Sequence, residues 1–237
     1  MNEIIRKTIE IAKDRDFEKA LKFQRELASQ LIIFGIPKTS LVLGFDAAYV
    51  ALSEGEFSIS MCVVFEKNGS SFLQREFFYS IDKVWFPYVF GLFAFREGIG
   101  FIRCWEKIPE SIRKAVDLIM VDGHGIFHPR GVGLASHIGL MTGVPTIGCA
   151  KDGPRENVIL PDRKVGSYSF LYTNGKKAGI ILRTRQDTRP LWVSPGHLVG
   201  IDALKDIVLG FIDGYRIPIP IRSAHILAKK LKKEFIS

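Results

Sequence analysis

Leu118–Arg130 reads L-I-M-V-D-G-H-G-I-F-H-P-R. Four apolar residues, Leu118 to Val121, run straight into Asp122 and then into a turn rich in glycine and histidine. A continuous apolar run bounded by turn residues is the pattern of a strand buried on both faces of a sheet. Asp122 then falls at the carboxyl end of a central strand, where open α/β sheets place their ligands. A carboxylate there is costly to desolvate unless it is paired, hydrogen-bonded or bound to a metal. Capping of the turn through its own backbone is the alternative at this point.

On the N-terminal side, residues 2–31 carry helical periodicity in two pieces, the second capped by Asp16 and ended by Gly35-Ile36-Pro37. Leu41–Val50, Phe57–Phe65 and Phe72–Tyr79 alternate as strands, with Asn68-Gly69 marking a hairpin between the last two. Asp46 sits within the first of these strands, a position from which aspartate is depleted. A solvated edge position would explain it as well as a chemical role. Pro87 stiffens Phe86–Val89 into a loop, and a helix is expected from Phe90 to about Trp105, with Glu97 off its apolar stripe.

Beyond Asp122, Gly131–Met141 reads as a helix and Val144–Ala150 as a second buried strand with Lys151 at its end. Two further strands, Val165–Tyr172 and Ala178–Arg183, flank Asn174-Gly175. Leu191–Val193 is short and extended, Ser194–His197 a turn, and Leu198–Phe211 a helix. The last helix, from about Ile221, carries His225 and the lysines 229, 230, 232 and 233. A lone histidine on such a basic helix reads first as a surface residue.

The 237 residues, 47% hydrophobic and 24% charged, are long enough for one domain with a full core. The net charge of +8 favours a polyanionic partner without choosing between nucleic acid and an acidic membrane surface. The three cysteines, Cys62, Cys104 and Cys149, are far apart and form no disulfide framework, which suits a reducing interior. The N-terminus has no apolar core of a signal peptide, and no apolar run approaches the ~18 residues of a membrane helix. A cytoplasmic monomer that does not contact membrane is expected.

Three meander strands, a helix, a strand, a helix and a strand suggest a mixed sheet with helices on both faces. An RNase H-like arrangement begins this way, with the first strand lying centrally beside the fourth. Asp46 and Asp122 would then be neighbours, and Glu97 could reach them from the intervening helix. Converging carboxylates repel unless cations lie between them, and hard oxygen ligands suit Mg²⁺. Paired metals about 4 Å apart are a standard device for phosphodiester hydrolysis.

Five segments carry a resemblance: Phe86–Gly98 (F-P-Y-V-F-G-L-F-A-F-R-E-G), Val121–Gly139 (V-D-G-H-G-I-F-H-P-R-G-V-G-L-A-S-H-I-G), Val144–Lys151, Val193–His197 and Arg222–Ile226. They resemble endonuclease V, the deoxyinosine-directed repair nucleases of RNase H-like fold, collinearly from Phe17 to Lys233. The resemblance implies an α/β domain over residues 1–237, with a mixed five-stranded RNase H-like central sheet, helices on both faces and extra strands. It implies that Asp46 and Asp122 hold the catalytic Mg²⁺, for which Mn²⁺ can substitute, and that Glu97 completes the carboxylate set. His225 would orient or protonate a phosphate-bound water, and Lys151 would meet the scissile phosphate as a point charge.

Tyr88, in the loop Pro87-Tyr88-Val89-Phe90, would be a wedge driven into the duplex at the lesion. The family has proline at the fourth wedge position, where this chain has Phe90. Phe93, Gly123, His128, Gly133 and Leu134 would form the pocket for the extruded base, where backbone groups can complement the hypoxanthine edge. Cleavage would fall at the second phosphodiester 3′ to the lesion, leaving 3′-hydroxyl and 5′-phosphate ends. The partner would be DNA containing deoxyinosine, with inosine-containing RNA a further candidate. Asp152-Gly153-Pro154-Arg155 departs from the family pattern. A silent inosine reader, and a nuclease for mismatches, flaps or RNA, are the competing functions; the retained Asp46, Glu97, Asp122, Lys151 and His225 weigh against the reader.

Overall fold

A computed structural model describes residues 2–154 and 158–236. Two amphipathic helices open the chain, α1 (Glu3–Asp14) and α2 (Phe17–Ala28). Asn2 and Asp16 cap them, each side-chain oxygen accepting a backbone N–H from the first turn. The meander follows as β1 (Leu41–Leu52), β2 (Gly55–Asn68) and β3 (Ser71–Lys83). Asn68 pairs with Ser71, so the β2–β3 turn is Gly69-Ser70, entered through the positive φ of Gly69.

α3 (Phe93–Lys107) begins three residues later than the periodicity predicts. Gly91, with φ +76°, breaks helical continuity just before it. A short helix that the periodicity does not reveal, α4 (Glu110–Ala115), leads into β4 (Leu118–Val121). Then come α5 (Leu134–Thr142), β5 (Thr146–Ala150), β6 (Tyr168–Thr173) and β7 (Lys176–Leu182). Asn174 and Gly175, both at positive φ, make the β6–β7 turn.

β8 (Leu191–His197) runs through Ser194–His197, where the sequence predicts a turn. Pro195 is tolerated because the register with β5 shifts there, and its carbonyl accepts the Ile126 N–H at 2.8 Å. The helix expected over 198–211 shrinks to a 3₁₀ turn (Ile201–Ala203) and α6 (Leu204–Leu209). Leu198 at φ +55° and the Gly200 N–H bonded to the Gly35 carbonyl hold the preceding segment extended. The last helix, α7, spans Ile219–Ile236.

All the described strands join one eight-stranded sheet in the order β3-β2-β1-β4-β5-β8-β7-β6. This corrects the expected five-stranded sheet: β8 pairs antiparallel with the outer edge of β5, and β7 and β6 extend it. β1 pairs in parallel with β4, and β4 with β5. Alternate residues divide the core between two faces. Leu43, Phe45, Ile119 and Val121 pack with α1, α2, α3 and α5. Val42, Leu118 and Met120 pack on the other side with α6 and Ile221 of α7. Helices therefore cover both faces, as expected. No described helix is long and apolar enough to cross a membrane.

Candidate active site

The β1–β4 pairing decides where the acidic residues meet. Phe45 lies opposite Val121, and the Asp122 N–H donates to the Phe45 carbonyl at 3.1 Å. Asp46, in the middle of β1, and Asp122, just past the carboxyl end of β4, are thus adjacent. Alternation from Val42 and Met120 turns both toward α7. That helix lies close because residue 44 is glycine: a Cβ there would fall 2.2 Å from the backbone of Pro220. One turn further along α7, His225 Nδ1 reaches Asp46 Oδ2 at 2.6 Å. The carboxylate only accepts, so Nδ1 carries the proton in this contact.

Asp46 is 8% exposed, and its second oxygen accepts the Ala47 N–H at 2.8 Å. Lys151, just past β5, forms an ion pair with Asp122. Burial, then the charge of Asp46, pushes the Asp122 carboxyl up, against the opposing pull of Lys151 and His225. Glu97 is pushed up to about 8 by burial, then by the charges of Asp46 and Asp122. This is a site that disfavours its own negative charge and is relieved by a cation. Among the described residues, Asp46, Asp122 and His225 each offer a ligand atom within 4.8 Å of the others. Two carboxylates and an imidazole fit a divalent cation. Glu97 is outside that trio but lines the same cavity as Asp122 and feels both aspartates.

The cavity, about 820 Å³, opens on the face covered by α2, α3 and α5. Phe93, Gly123, His128, Gly133 and Leu134, the expected pocket residues, all line it. Tyr88 and Phe90 stand at its rim, 70% and 76% exposed, with the Tyr88 ring 5.0 Å from that of Phe93. Pro87 is exposed beside them, whereas Val89 is half-buried against the core. His128 is held neutral by burial and by the Arg130 charge, its pKa lowered to about 4. His124, also in the wall, packs edge-on against Phe127. Phe170 to Thr173 of β6 close the far side. Asp152, Gly153 and Pro154 border it too, and Arg155 lies outside the described residues.

Sequence reasoning missed Arg216 and Gln24. Arg216 donates through Nη2 to the Lys151 carbonyl, while Thr184 Oγ1 donates to the Arg216 carbonyl at 2.6 Å. Nothing in the local pattern around Arg216 marks it. Gln24 carried a detectable signal: it falls on the buried stripe Ala20, Phe23, Leu27 of α2, where a polar residue needs a partner.

The family model for endonuclease V matches residues 25–226. The endonuclease V of Thermosipho melanesiensis is 36% identical over 219 residues, 92% of this chain and 92% of that protein. The crystal structure of endonuclease V from Bacillus subtilis superposes with a TM-score of 0.85 at 26% identity, covering 95% of this chain and 97% of that one. The fold is shared with Ciona intestinalis endonuclease V in complex with a 24mer DNA containing an inosine followed by a ribo-adenosine (TM-score 0.79, 24% identity, 94% and 99% covered). With the match spanning most of its length, this chain belongs to the endonuclease V family.

Proposed function

We propose that this chain is a Mg²⁺-dependent DNA repair endonuclease that recognises deoxyinosine and hydrolyses the second phosphodiester 3′ to it. The observation that carries the reading is the Asp46–Asp122–His225 cluster opening at Asp122 into the aromatic cavity. The strand order β3-β2-β1-β4-β5 supports an RNase H-like core, extended by β8, β7 and β6 within one domain of residues 1–237. The Ciona protein's complex with inosine-containing DNA supports the substrate class. The three free, buried cysteines support a reducing, cytoplasmic setting.

Asp46 and Asp122 would hold the metal, with Glu97 completing the carboxylate set and His225 beside it. Bound there, Mg²⁺ (or Mn²⁺ in its place) supplies Lewis-acid neutralisation of charge on the phosphate. His225 donates its Nδ1–H to Asp46, which leaves Nε2 as a lone pair able to accept a proton from the attacking water. The new bond joins water oxygen to phosphorus, and the bond to the 3′ oxygen breaks. That oxygen takes a proton from solvent, leaving 3′-hydroxyl and 5′-phosphate ends. Lys151 offers its ammonium to the phosphate, exchanging it for Asp122. Tyr88 fills the gap left in the duplex, and the backbone of Gly123 and Gly133 faces the extruded base.

The test compares matched duplexes carrying inosine or adenine at one position, and the corresponding inosine RNA, with Mg²⁺ or EDTA. Cutting of the inosine DNA alone, only with Mg²⁺, is expected. Cutting of adenine and inosine duplexes at equal rates would overturn the lesion reading, and cutting of RNA alone would overturn the repair reading.

A further inference from the structure

Three side chains converge on a single backbone carbonyl, that of Gly91, directly after the exposed Phe90. Gln24 Nε2 donates to it at 2.9 Å, Arg130 Nη2 at 2.7 Å, and His128 Nε2 lies at 3.0 Å. A carbonyl only accepts, so His128 carries its proton on Nε2. Its Nδ1 then accepts the Arg130 N–H at 3.2 Å, and both ring nitrogens are satisfied. Gln24 is 1% exposed and its other bonds close the network: Nε2 also donates to the Val132 carbonyl at 3.0 Å, and Oε1 accepts Arg130 Nε at 2.7 Å. The carbonyl has two lone pairs, so three donors saturate it and fix its direction.

Gly91 suits this grip. It has φ +76°, and a Cβ there would fall 2.5 Å from Arg130 Nη2 and 3.2 Å from His128 Nε2. The donors therefore occupy the space that any side chain at 91 would take. They come from α2 and from the turn after β4, so the clamp joins the rim loop to the cavity wall. The other end of the loop is also tied: Arg96 Nη1 donates to the Phe86 carbonyl at 3.2 Å. Between the ties, Tyr88 and Phe90 are the free, exposed part. The loop has Phe90 where proline would restrict the backbone, and side-chain hydrogen bonds take over the stiffening.

We propose that Gln24, with His128 and Arg130, is a positioning clamp that sets the attack direction of the Tyr88 loop and thereby selects inosine held in a duplex. The proposal rests on Tyr88 being the wedge. The clamp touches no reacting atom; it acts through Gly91 on the loop. Its loss leaves the metal-binding residues untouched but lets the ring wander, and an orientation-dependent step suffers most.

The test uses Gln24→Met, which keeps bulk and removes the hydrogen bonds, and Arg130→Gln as a second variant. Each is assayed on inosine in a matched duplex and in a single strand, where no duplex must be opened. The clamp predicts that duplex cutting falls at least about tenfold while single-strand cutting holds within about twofold. Retained single-strand cutting shows that the variant is folded. The double variant with Tyr88→Ala should cut the duplex no more slowly than Tyr88→Ala alone, because both act through one group. Equal losses on both substrates, no loss on either, or additive losses in the double variant would overturn the clamp. If Tyr88→Ala itself cut duplex inosine at the wild-type rate, the wedge reading would fall first.

Discussion

Asp46 is tolerated in a buried strand because every direction open to it holds a partner: the Ala47 N–H, His225, and the site shared with Asp122. Depletion of aspartate from strands marks it as anomalous, but the partner that explains it comes from 179 residues away. His137 presents the opposite case, a buried titratable group away from that cluster. Its Nε2 lies 2.7 Å from Thr8 Oγ1, whose own proton goes to the Ile4 carbonyl, so His137 donates and stays neutral. Burial lowers its pKa to about 3, against 6.5 for the free group. Between those values the unfolded chain binds a proton that the folded chain refuses. Stability is full above pH 6.5 and falls progressively as pH drops toward 3. Urea unfolding at about pH 7 and about pH 4.5 should show this loss, and His137→Gln should be less stable at neutral pH yet less sensitive to acid. An unchanged acid slope in that variant would contradict the assignment.

At the level of elements, the His225–Asp46 contact depends on how close α7 approaches β1. Gly44→Ala places a methyl 2.2 Å from the Pro220 backbone, so the helix must shift. Overpacking of this kind costs about 1–3 kcal/mol. A displacement of about 1 Å of His225 from Asp46 should also lower turnover on the order of a hundredfold. Thermal unfolding and single-turnover rates check both; a variant with wild-type rate would mean that the α7 contact is not needed. Elements also show what a sequence can tell. β1 to β5 were legible because alternation, continuous apolar runs and turn residues are local signals. The late start of α3 was hidden because the left-handed Gly91 looks like any helix-flanking glycine. The joining of β8, β7 and β6 to β5 was hidden because periodicity shows that a strand exists, not which edge it pairs with. Of the site, Asp46 and Asp122 stood out as carboxylates in apolar runs, whereas Arg216 and the triple grip on Gly91 exist only once distant segments meet.

Across the whole molecule, the acidic cluster and the cavity lie on opposite faces of one sheet and meet at Asp122, on the end of β4. A nucleotide held in the cavity would bring a flanking phosphate, not its own base, to the cluster, which fits a cut displaced from the lesion. The net charge of +8 and the exposed lysines of α7, Lys229 and Lys233, suit contacts with further phosphates. Replacing both by glutamine should reduce the salt dependence of DNA binding by about 0.9 in log–log slope for each phosphate no longer neutralised. Binding isotherms across salt concentrations measure it; an unchanged slope would leave these lysines as a solvated helix face.

The decisive experiment maps the nick on an end-labelled duplex with a single inosine, using wild type and Asp46→Asn with and without Mg²⁺. A single cut at the second phosphodiester 3′ to inosine, present only for wild type with Mg²⁺, is the predicted result. An inosine-directed cut that persists in Asp46→Asn, or in EDTA, would contradict the claim that the Asp46–Asp122–His225 cluster is a metal-dependent cutting centre.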